Sequence, residues 1–128
     1  MKLLVLAPQA VDAAAVRNAL PGEDLADTEV LVVSPALHES GLRFWMSDSD
    51  DAIQHAEQAS DQTASALQGE AGHVRSTVGE SEPLTALQDA LATFPADRIL
   101  VFRGDEDAYR EEDLAEAQER FGVPVTTV

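Results

Sequence analysis

The chain has no cysteine and only one lysine, Lys2, in 128 residues. Without cysteine there is no disulfide, no thiol nucleophile and no Cys-zinc centre. Aromatic residues are also few: one Trp, one Tyr and four Phe. No apolar run approaches the ~20 residues that cross a bilayer. The opening Met1-Lys2-Leu3-Leu4-Val5-Leu6 has the flavour of a signal peptide. It is too short, however. Pro8 and Gln9 interrupt it, and no A-x-A cleavage pattern follows at the right distance. It reads as a buried first strand, and the chain as cytoplasmic.

Positive charge is scarce. Eight Lys and Arg face 24 Asp and Glu, a formal net charge of −16. Such a surface repels nucleic acid and anionic lipid, so neither is an expected partner. Adaptation to high internal salt explains the acid excess and the loss of Lys. A high-GC genome explains the Arg, Ala and Asp bias equally well.

What the chain does have is a repeated order of short apolar run, turn and amphipathic segment. The runs are Lys2–Ala7, Glu29–Ser34, His73–Val78, Arg98–Phe102 and Val123–Val128. Helical stretches are expected at Val11–Leu20, about Asp48–Gln68, from Pro83 to Phe94, and Glu111–Phe121. Pro8, Pro21-Gly22, Gly69, Gly72, Pro95 and Gly122 punctuate them. The first helix has Val11, Ala15 and Ala19 on one side. The second carries Ile53, Ala56, Ala59 or Ser60, Thr63 and Leu67 at helical spacing, the third Leu84, Leu87, Leu91 and Phe94, and the last Leu114, Ala117, Gln118 and Phe121. Strands alternating with helices predict one α/β domain over residues 1–128, a Rossmann-like open parallel sheet covered on both faces. Right-handed crossovers commonly give five such strands the order 3-2-1-4-5. Ligands then bind beyond the carboxyl ends of the strands, at the switch between strands one and four.

The order and spacing of several short segments resemble the universal stress protein family along nearly the whole chain. These are the long helix after an irregular strand-two loop, Val78-Gly79-Glu80-Ser81-Glu82-Pro83-Leu84, Ala96-Asp97-Arg98-Ile99-Leu100-Val101, and Val123-Pro124-Val125-Thr126-Thr127-Val128. ATP-binding members carry an Asp just after strand one; here that place reads Ala7-Pro8-Gln9. They also carry a glycine-rich phosphate segment after strand four. Here Gly104 stands alone before Asp105-Glu106-Asp107. Glycines let backbone N–H groups approach phosphate, whereas three acids repel it. The resemblance therefore implies a diverged member: a stress-associated or regulatory domain without the ATP motif and without a cofactor. It also implies a homodimer through the last strand, Val125, Thr126, Thr127 and Val128.

No catalytic set stands out from the residues. Gln9, Ser34 and Arg103 fall near the carboxyl ends of strands one, two and four, with Gly79 and Gly104 on the same rim. They are candidates for holding a small polar or anionic ligand, and a nucleotide-binding protein or enzyme with an altered switch-point site stays open as an alternative. Capping and turn chemistry is the competing reading of the same residues. His38, His55 and His73 lack metal-pair spacing, and Asp48, Asp50 and Asp51 suit a helix first turn better than a calcium loop. No metal site is expected. Ser34, Ser40 and Ser47 have no nucleophile-elbow context. The Arg43-Phe44-Trp45-Met46 patch is either a surface for an unknown protein partner or a loop packed on the sheet. A structural protein acting through its dimer surface is the remaining alternative.

Overall fold

A computed structural model of the chain describes residues 2–7, 10–20, 22, 25–35, 49–69, 71–79, 83–102 and 111–128. Five strands form one parallel sheet: β1 (Lys2–Leu6), β2 (Glu29–Pro35), β3 (His73–Gly79), β4 (Arg98–Val101) and β5 (Val125–Thr127). The helices are α1 (Ala13–Ala19), α2 (Ser49–Leu67), α3 (Pro83–Thr93) and α4 (Glu111–Phe121). The strand order is β3-β2-β1-β4-β5, as the alternation of elements predicts.

β1 sits in the middle, which is why its sequence is apolar without alternation: Leu3, Leu4, Val5 and Leu6 are all fully buried. Its side chains divide between two cores. Leu3 and Val5 join Val30, Val32 and Leu100 under Val16 of α1, its C-cap Leu20 and Leu67 of α2. Leu4 and Leu6 join Leu31, Val33, Ile99 and Val101 under Leu87 of α3, Phe94 just after it and Ala117 of α4. The chain steps one way from β1 to β3, then returns past β1 to β4 and β5. Right-handed connections put the helices of the two directions on opposite faces, and that is the division seen.

Several local expectations shift. The β1 and β4 ladders end at Leu6 and Val101. Ala7 and Phe102 still pair beyond them, donating to the Val33 and Leu6 carbonyls at 2.9 Å each. β2 and β3 each run one residue further, to the pair Pro35 and Gly79. α1 starts at Ala13, because Asp12 is its N-cap and accepts the Ala15 N–H at 2.8 Å. The buried residues here are Val16 of α1 and its C-cap Leu20, while Val11, Ala15 and Ala19 are half-buried. β3 is an edge strand whose His73, Arg75 and Thr77 are exposed. Gln118 is exposed rather than inward. A 3-10 turn at Leu25–Asp27, before β2, has no signal in the periodicity; it buries Leu25.

Candidate functional site

Two places could carry function in this fold: the rim at the carboxyl ends of the strands, and the outer edge of β5. On the rim, Ser34 is the last residue but one of β2 and Gly79 ends β3. Gln9, Arg103 and Gly104 lie outside the described residues, as does the Arg43–Met46 patch.

Ser34 is completely buried, and its hydroxyl donates to the Ala7 carbonyl at 2.6 Å. It thereby pairs β2 with the chain leaving β1 where the ladder ends. The one proton of the hydroxyl is committed to the protein itself. Gly79 is defined by close packing. A Cβ there would lie 2.8 Å from Cγ1 of Val33 and 3.0 Å from Cβ of Ala86, so only glycine lets α3 seat against β2 at this point. The space a side chain would occupy is taken by protein atoms.

The segment after β1 is anchored by Thr63 of α2. Its Oγ1 accepts the Val11 N–H at 3.0 Å and donates to the Ala59 carbonyl at 2.9 Å, and the side chain is fully buried. Periodicity places Thr63 on the buried stripe but cannot show that it holds the rim. Among the described residues, no group of three or more His, Asp or Glu is gathered as a metal site requires. Nor is any helix among them long and apolar enough to cross a membrane.

At the other place, β5 pairs among the described residues only with β4. The Ile99 N–H donates to the Pro124 carbonyl at 2.9 Å, and the Val128 N–H donates to the Val101 carbonyl at 2.8 Å. In a parallel ladder alternate residues point their peptide groups the same way. Residues 124, 126 and 128 therefore face β4, and Val125 and Thr127 face outward. Gln118, at the end of α4, reaches this edge: its Oε1 accepts the Val125 N–H at 3.4 Å. Gly122, at φ +66°, supplies the left-handed residue that ends α4 and turns the chain into β5. Val128 is 52% exposed, the one large hydrophobic side chain so open among the described residues.

The architecture is that of an open, doubly wound parallel sheet, and in particular it is the universal stress protein fold. The chain superposes on a universal stress protein from Archaeoglobus fulgidus with a TM-score of 0.61 and 17% identity, over 99% of this chain and 93% of that one. It superposes on a member of the universal stress protein family from Burkholderia pseudomallei with a TM-score of 0.56 and 14% identity, over 98% and 94% of the two chains. No protein-family model and no curated protein matches the sequence.

Proposed function

We propose that this is a universal-stress-protein-like domain with a non-catalytic, stress-associated or regulatory role, which does not bind ATP tightly and acts as a homodimer through β5. The observation that carries the reading is at the rim. Ser34 spends its hydroxyl proton on the Ala7 carbonyl, and the space beside Gly79 is filled by Val33 and Ala86. Both described candidates for ligand contact thus serve the fold. The sequence supports the same reading, with Ala7-Pro8-Gln9 after β1 and Asp105-Glu106-Asp107 after Gly104 in place of the acidic and glycine-rich ATP motifs.

Calorimetric titration with Mg-ATP tests this. No binding tighter than about 1 mM, roughly 4 kcal/mol, is expected. A micromolar constant overturns the reading and favours the alternative, a nucleotide- or small-ligand-binding protein with an altered switch-point site.

The dimer part rests on the β5 edge. Its outward peptide groups belong to Val125 and Thr127, its residues are uncharged, and Val128 lies open beside them. A chain of net charge −16 meets its copy with least repulsion at such an uncharged segment.

A further inference from the structure

The outward edge of β5 carries one side-chain contact, from Gln118 to the Val125 N–H. A second copy of the chain adding antiparallel about a two-fold axis at Thr126 would pair Val125 of one copy with Thr127 of the other, because these residues present outward N–H and C=O groups. Each copy must offer its Val125 N–H to the partner strand. That donor is already used: Oε1 of Gln118 accepts it at 3.4 Å.

We propose that Gln118 is a gate on this edge, competing with a second copy of the chain for the Val125 N–H, so that strand addition proceeds only as its side-chain amide swings away. This rests on the dimer reading given above. Gln118 is exposed, and its own backbone carbonyl is held separately by the Gly122 N–H at 3.1 Å. The side chain can therefore leave without undoing the end of the helix. Natural edge strands are commonly protected against indiscriminate pairing. Here the protection is a neutral, displaceable side chain, where a charge or a proline would block every partner permanently.

The test compares the full chain with Gln118→Ala. Sedimentation equilibrium in 1 M KCl, where repulsion between copies is screened to ~3 Å, gives the dimer constants. Amide hydrogen exchange on dilute monomer gives the protection of Val125, with Thr127 as internal control. The expected result is loss of Val125 protection and a dimer constant tighter by about tenfold, equivalent to about 1.4 kcal/mol. An unchanged dimer constant overturns the gate and leaves the dimer reading standing. Absence of a dimer in both proteins overturns strand pairing itself, and the gate with it.

Discussion

Asp97 holds Lys2 at two points. Its N–H donates to the Lys2 carbonyl at 2.8 Å, and its Oδ2 accepts the Lys2 N–H at 2.9 Å. The two residues are 95 positions apart in sequence, and their contact fixes the starts of β1 and β4 side by side. These are the strands between which the sheet changes direction. The carboxylate thus sets the register of the central pair at the end opposite the candidate rim.

Asp97→Ala should therefore lower stability by about 1–2 kcal/mol, the scale of an open hydrogen bond to a charged group. Asp97→Asn, which keeps an acceptor oxygen, should cost less. Urea unfolding of both variants checks the order. Equal costs would mean that the side-chain bond contributes nothing.

Gly79→Ala should destabilise by about 1–3 kcal/mol, because the new methyl meets Val33 and Ala86 at 3.0 Å or less. Removing the opposing methyl with Ala86→Gly should recover part of this in the double variant, despite the ~1 kcal/mol helical cost of glycine. Additive losses would show that the two sites are not in contact.

The sheet was readable because a parallel sheet buries its strands on both faces, and runs such as Leu3–Leu6 or Val30–Val33 leave little choice of role. Helix phase was harder where alanine dominates. α1 carries four alanines in seven residues, so hydrophobicity alone does not distinguish the stripe through Val11, Ala15 and Ala19 from the one through Val16 and Leu20 that the fold buries. Gln118 has the spacing of an inward residue, yet its amide turns to the β5 edge, where a backbone donor is in reach. The rim was legible only as positions. That Gly79 is a packing glycine depends on Val33 and Ala86, and that Thr63 anchors Val11 depends on a contact 52 residues away. Local pattern carries no trace of such partners.

Thr63→Val removes the acceptor of the Val11 N–H while keeping the shape of the side chain. It should cost about 1–3 kcal/mol, the penalty of an unsatisfied donor, and raise amide exchange at Val11. Thr63→Ser keeps the hydroxyl and should leave Val11 protected. Exchange at Val11 equal to wild type in the valine variant would rule out the anchor.

The net charge of −16 should make the fold salt-sensitive. The screening length falls from ~30 Å at 0.01 M to ~3 Å at 1 M salt, so repulsion between the acids weakens. Tm should rise by several degrees between these KCl concentrations. A flat profile would mean that the acids are too widely spread for self-repulsion to matter, and would remove the support for salt adaptation.

The central claim is that this chain works through the outer edge of β5, and light scattering after size exclusion tests it most directly when the protein is compared with Thr127→Pro. Proline at 127 deletes an outward N–H and leaves the bonds of Pro124 and Val128 to β4 in place. The account predicts wild type at twice its 13.7 kDa chain mass and Thr127→Pro as a folded monomer. A wild-type monomer, or a dimer that Thr127→Pro leaves unchanged, would contradict it.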